Sequence, residues 1–282
     1  MKIGEYNVRL LDAGRFRLDG GAMFGVVPKA LWEKRKAMDE KNRIYMSANL
    51  LLIENEERKI LVDTGIGDKM SEKQNAIYAV DHSEYSLEKG LEKCQLKTTD
   101  ITDVILTHLH FDHTGGSTFR DKNGSIKPTF PNAKYYIQSR QFAWALKPSE
   151  KDRASYFEEN FIPLQEHNQL ILLEEGEELF PGIELKSVDG HTVGLQMVII
   201  HGEDKTLFYP SDLVPTAAHV SIPWIMAYDL YPLTTAEEKK MYLKMAADRD
   251  WLVFFEHDPE IHCATVQATE KGYAIKDVID LN

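Results

Sequence analysis

The sequence predicts an α/β (α+β) protein in which helices cover two β-sheets, and three observations carry that expectation. Apolar runs of strand length mix with helical patterns without a regular strand–helix–strand repeat. The 282 residues are 43% hydrophobic and 28% charged, enough to bury a substantial core and too apolar for disorder. No repeat, low-complexity tract or Gly/Pro/Ser-rich linker divides the chain, so residues 1–282 are expected to form one domain.

The elements follow in order. Residues 19–29, DGGAMFGVVPK, mix glycines with apolar side chains at neither helical nor strand period, ahead of Leu31 and Trp32. We read residues 1–40 as an apolar flap or contact segment. Residues 45–53 and 59–62 are apolar runs joined by the polar stretch 54–58, the pattern of a β-hairpin. Residues 85–94 carry apolar positions at helical spacing. Thr98-Thr99-Asp100, a helix-cap pattern, leads into a short buried strand at 103–106, followed by a strand at 134–138 and a helix at 139–146. The aromatic and charged stretch 152–168 reads as mostly helical. Strands are expected at 183–188, 195–200 and 206–209, with Gly202-Glu203-Asp204 as the last turn. An amphipathic helix is expected at 235–248, with Thr235 as its cap and Glu237 and Glu238 facing the helix dipole in its first turn. A fully apolar strand at 251–255 completes the reading.

Charge and composition exclude several classes. The formal net charge of −12 would repel a phosphate backbone, so no nucleic-acid partner is expected. Apolar stretches such as 50–53 and 197–200 fall far short of a membrane span. The opening MKIGEYNVRL lacks the apolar core of a secretory signal. Cys94 and Cys263 are the only cysteines, which is no disulfide scaffold and fits a reducing cytoplasm.

The chemistry concentrates in Thr107-His108-Leu109-His110-Phe111-Asp112-His113-Thr114-Gly115-Gly116, directly after the strand at 103–106. Three imidazoles and a carboxylate within six residues cannot all serve one metal from a regular helix or strand. A tight loop at a strand end can splay them toward two adjacent ions, with His108 and His110 on one and Asp112 and His113 on the other. Gly115 and Gly116 are expected to let the backbone bend there. Four more segments add donors at strand ends: Asp63 in VDTG, His191 in DGHTVG, Asp212 in FYPSD and His257 in FFEHDP. Each alone is an ordinary turn or cap residue; that all gather where loops meet a sheet edge points to metal binding.

These motifs resemble those of the metallo-β-lactamase fold hydrolases, in the family's order and over nearly the whole chain. The resemblance implies a four-layer αβ/βα sandwich with a dinuclear site at the edge of its two sheets. Carried over by motif, His108, His110 and His191 would bind one metal, Asp112, His113 and His257 the other, and Asp212 both. Asp63 would orient ligands from behind. The donors are all nitrogen or oxygen, which suits Zn²⁺, with Fe, Co or Mn as alternatives. A hydroxide bridging two cations would be the nucleophile, with Asp112 holding it and passing its proton to the leaving group.

The flap, with Met23 and Phe24 as substrate-binding residues, and the stretches 211–219 and 226–229 are similar to the YtnP-like quorum-quenching lactonases. That subgroup also holds the phosphotriesterase methyl parathion hydrolase. The resemblance implies opening of N-acyl-homoserine lactones, with other lactones, esters or aryl phosphotriesters as alternatives and a non-catalytic metal-binding or redox member of the fold as a distant one. Many such lactonases place a catalytic tyrosine three residues after the bridging aspartate, where this chain has Pro215. His219 and Tyr228 are the candidate replacements. The apolar N-terminal segment could equally form a homodimer contact.

Overall fold

Two seven-stranded sheets face one another in the computed structural model, which describes residues 1–174, 176 and 178–281. The first contains β1 (Lys2–Ile3), β2 (Tyr6–Asp19), β3 (Arg43–Glu54), β4 (Lys59–Val62), β5 (Asp103–Ile105), β8 (Lys134–Gln138) and β9 (Leu170–Leu173), in that spatial order. A small ribbon, β6 (Thr118–Arg120) and β7 (Ile126–Pro128), stands apart. The second sheet runs through β10 (Glu178–Phe180), β11 (Ile183–Val188), β12 (Leu195–His201), β13 (Thr206–Tyr209), β14 (Leu252–Phe254), β15 (Cys263–Thr269) and β16 (Gly272–Val278). The helices are α1 (Gly20–Phe24), α2 (Lys29–Trp32), α3 (Glu72–Tyr78), α4 (Leu87–Lys93), α5 (Phe111–Thr114), α6 (Ser139–Leu146), α7 (Ile162–Glu166) and α8 (Pro232–Asp248). None among the described residues is long and apolar enough to cross a membrane.

Side-chain alternation explains the layering. On β3, Leu51 and Ile53 pack inward against Val198 and Ile200 of the facing sheet. Leu50 and Leu52 point outward to a second cluster with Leu91, Phe142 and Leu164. Both faces are covered, hence the unbroken apolar run rather than an alternating one. On the far side Phe208 and Val253 meet Tyr242, Leu243 and Ala246 of α8. The expected helix–sheet–sheet–helix sandwich is the observed fold. The pairs β4–β5 and β13–β14 are parallel, so neighbouring strand ends reach the same edge.

Several local expectations need correction. Residues 1–40 are not a flap as a whole, because β2 pairs with β3 along the body of the first sheet. Only the part after Asp19 leaves it, and that part is helical: the Asp19 carboxylate accepts from the Ala22 amide to cap α1. The stretch 152–168 contains two single-turn 3₁₀ segments and the five-residue α7, with a proline in its first turn, rather than continuous helix. Helix α8 begins at Pro232, not at Thr235. Proline fits a first turn, where its missing N–H would have no partner. Glu237 and Glu238 therefore lie past the first turn, and Glu238 instead accepts the amides of Asp189 and Gly190, anchoring the turn before His191.

Candidate metal centre

Every expected metal ligand sits where a strand has just ended. After β5 the chain turns so that His108 and His110 face one way, while the single-turn α5 carries Asp112 and His113. His191 follows β11, Asp212 follows β13 and His257 follows β14. Gly115 and Gly116 serve close packing rather than a bend. A Cβ on Gly115 would lie 1.9 Å from the Ile66 carbonyl oxygen, and one on Gly116 would lie 2.2 Å from that of Thr64. The loop is thereby pressed onto the segment after Asp63, whose own φ of 60° is the left-handed conformation at the end of β4.

Two buried cages result. One contains His108, His110, His191 and Asp212, the other Asp112, His113 and His257, each with donor atoms within 4.8 Å of one another. Asp212 reaches both. Its Oδ2 lies 3.3 Å from His191 Nε2 and 3.5 Å from His113 Nε2, and its Oδ1 lies 3.1 Å from His257 Nε2.

The far side of each ring decides which nitrogen faces inward. His191 Nδ1–H donates to Asp229 Oδ1 at 2.8 Å, and His257 Nδ1–H to the Ser47 carbonyl at 2.9 Å. His108 Nδ1 lies 3.1 Å from Thr107 Oγ1, whose proton already goes to Asp63 at 2.6 Å, so here too the ring donates outward. His113 Nδ1–H donates to Asp63 Oδ2 at 3.0 Å, with Glu256 Oε2 3.1 Å away. His113 Nε2 and His257 Nε2 then face one another at 3.2 Å, and His110 Nδ1 stands 3.0 and 3.2 Å from the Nε2 atoms of His108 and His191. A cation between them would satisfy these inward-facing nitrogens together. The donor set therefore fits divalent cations, with outer partners of the kind that hold metal-binding histidines in place.

Titration behaviour reflects the same geometry. Burial and the imidazoles around it hold His108 and His110 well below the usual histidine range. Burial works against a charged His257 as well, yet Asp212 pushes it up to about 9. His113 is likewise held well above its ordinary value, against burial, by Glu256, Asp212 and Asp112. Asp212 is buried too, but His257, His113 and His191 keep it well below the carboxylate range. Burial pushes Glu256 up to about 7.

A pocket of about 220 Å³ opens over the cages, with His110, Asp112, His191, Asp212 and His257 on its floor. Met23 and Tyr228 line it, as do Tyr78, Phe111, Lys151 and Met226. Tyr228 remains 37% exposed at this wall, and the Asp112 charge adds to burial in raising its phenol. Phe24 does not reach the pocket. It is fully buried, stacked between Trp32 and His219 at 5.3 and 5.0 Å. His219 is not among the lining residues either. Its Nε2–H donates to the Met23 carbonyl at 2.8 Å and its Nδ1 accepts from Thr216 Oγ1 at 2.7 Å, while burial and Lys239 push it down to about 3. It is a neutral pin for α1, its one ring proton committed to the Met23 carbonyl. Sequence reasoning assigned no role to Asp229, Glu256 or Tyr78; an isolated acid or tyrosine in a loop carries no signal of its own.

Comparison with known proteins bears on the family and the fold. Residues 45–257 match the family model described as the metallo-beta-lactamase superfamily. An N-acyl homoserine lactonase of Bacillus cereus is 29% identical over 165 residues, which is 55% of this chain and 59% of that protein. The chain thus spans little more than half the length of that relative. A probable metal-dependent hydrolase from Staphylococcus aureus superposes with a TM-score of 0.86 at 31% identity, covering 99% of this chain and all of the other. The dizinc quorum-quenching lactonase AidC, solved with a product N-hexanoyl-L-homoserine, gives a TM-score of 0.82 at 23% identity, covering 100% of this chain and 97% of that one.

Proposed function

The chain belongs to the metallo-beta-lactamase superfamily, and from that premise we propose that it is a dinuclear metal-dependent hydrolase that opens N-acyl-homoserine lactones. The observation that carries the reading is Asp212, one carboxylate shared by two histidine cages on the floor of a half-apolar pocket. We assign His108, His110 and His191 to one cation, Asp112, His113 and His257 to the other, and Asp212 to both. Asp63 steadies the second set through His113. Nitrogen and oxygen donors without thiolate suit zinc.

When bound, the two cations supply Lewis acidity and make a water acidic enough to attack at neutral pH. The chain's own groups do the rest. Asp112, at the mouth of the second cage, takes the proton of the attacking water and returns it to the ring oxygen as the ester bond breaks. Tyr228, on the wall beside it, donates a hydrogen bond from its hydroxyl to the substrate carbonyl oxygen and keeps its proton, supplying the phenol that Pro215 cannot. Met23, Tyr78, Phe111 and Met226 give an acyl chain an apolar bed. A cytoplasmic setting accords with two buried, unpaired thiols.

The test is a substrate panel on one metal-loaded preparation: N-acyl-homoserine lactones against paraoxon and nitrocefin. Lactone turnover well above the other two is expected. No lactone turnover at micromolar enzyme would refute the substrate assignment, and paraoxon hydrolysis in its place would move it to phosphotriesters.

A further inference from the structure

Behind the second cage, Asp63, His113 and Glu256 form a third cluster of buried donors, and none of the three lines the pocket. The lone Nδ1–H of His113 faces two carboxyl groups, Asp63 Oδ2 at 3.0 Å and Glu256 Oε2 at 3.1 Å. Asp63 has other donors, the Thr107 amide at 2.7 Å and the Thr107 hydroxyl at 2.6 Å. Glu256 does not. It is 1% exposed, neither of its oxygens has a well-aligned donor, and its further polar neighbours are the buried Tyr209 hydroxyl, Asp63 and His257. A carboxyl group buried with so little support is costly unless a nearby positive charge offsets it.

The cages differ in this respect. In the first, one carboxylate, Asp229, backs His191, and His108 has the neutral Thr107 hydroxyl behind it. In the second, two carboxyl groups back His113. Carboxylates behind a ligating histidine fix its ring and strengthen it as a donor.

We propose that Glu256 is a positioning residue of the metal centre, acting with Asp63 through His113, so that the cation held by Asp112, His113 and His257 is the more tightly bound of the two. The inference rests on the dinuclear reading given above. Its consequence is an order of filling: the second cage takes the first equivalent of metal.

Metal-stripped protein supplied with one equivalent of Zn²⁺ and crystallised should show anomalous density in the Asp112–His113–His257 cage. In competition with a chromophoric chelator, Glu256→Gln should bind its tighter ion about tenfold more weakly, the low end of what losing such an outer partner costs. Asp229→Asn should weaken the other ion instead. With Co²⁺, the visible spectrum of the first equivalent should change in the Glu256 variant and not in the Asp229 variant. Density in the His108–His110–His191 cage, equal division between cages, or unchanged affinity in Glu256→Gln would overturn the proposal. Should that variant not fold, the wild-type crystal decides. Wild-type protein that binds no ion at all would overturn the dinuclear reading as well, a result distinct from two ions bound in the opposite order.

Discussion

The cage and the wall of the same pocket are built by different means. Every candidate ligand in the cage is nearly or fully buried and leaves a strand end or the turn after it, and four of the imidazoles, His108, His113, His191 and His257, are aimed from behind by Thr107, Asp63, Asp229 and Ser47. The wall comes from short helices and loops: Met23 on α1, Tyr78 at the end of α3, Tyr228 in the loop before α8. That loop is tied down by two lysines rather than by a sheet. Lys239 Nζ donates to the carbonyls of Ser221 and Trp224, and Lys151 Nζ to those of Ala227, Tyr228 and Asp229. The sheets fix the chemistry, and the loops that Lys151 and Lys239 hold shape what can approach it.

If that division is right, damage to the cage should abolish catalysis, whereas damage to the wall should tune it. Asp212→Ala removes the one group common to both cages. Outer partners of a metal centre already cost 10–100-fold, so this variant should lose more than about a hundredfold in kcat along with bound metal, read by turnover and elemental analysis. Tyr228→Phe keeps the cage and deletes one donor; kcat/KM should fall roughly 10–100-fold with metal content unchanged, the worth of a hydrogen bond to a charged group. Metal loss in that variant would erase the distinction between cage and wall. Lys151→Met frees three carbonyls beside the pocket and should raise KM about tenfold or less while kcat changes little, as expected where binding rather than chemistry is loosened.

The last effect, on stability rather than catalysis, concerns His219, the pin between wall and core. Burial and Lys239 push its imidazole down to about 3. The unfolded chain takes up a proton near pH 6.5 that the folded protein refuses until about 3, so the stability this neutral ring contributes is complete above 6.5 and lost on acidification. In that window the slope approaches about 1.4 kcal/mol per pH unit. The melting-temperature advantage of wild type over His219→Gln should therefore shrink as pH falls from 6.5 toward 3.

What could be read in the chain follows the same divide. That these donors converge was legible because histidines and aspartates at five strand ends are improbable without a shared task. Strand β3 was legible because burial on both faces leaves an unbroken apolar run. Strand β2 was not: Arg9, Asp12, Arg15 and Arg17 interrupt its pattern, and a shift of register between Asp12 and Arg15 breaks the period of two. Arg15 pairs with Asp12 and Arg9 with Glu54, and Arg17 lies over the Tyr45 ring, which lets those charges stay within the sheet. Asp229 and Glu256 were illegible for another reason, because their meaning lies in which imidazole stands 3 Å away, and that is set by strands far apart in sequence. Phe24 was misread as a pocket residue because apolar character does not say which side of a short helix faces the substrate.

The central claim is that side chains from separate strand ends enclose two cations on which hydrolysis depends. Metal content of the purified protein, measured before and after exhaustive chelation and paired with lactone turnover on the same samples, tests it most directly. Two divalent ions per chain, with turnover that disappears on chelation and returns with added zinc, is the predicted result. A chain that holds no ions in excess zinc, or that hydrolyses lactones equally well without them, would contradict it.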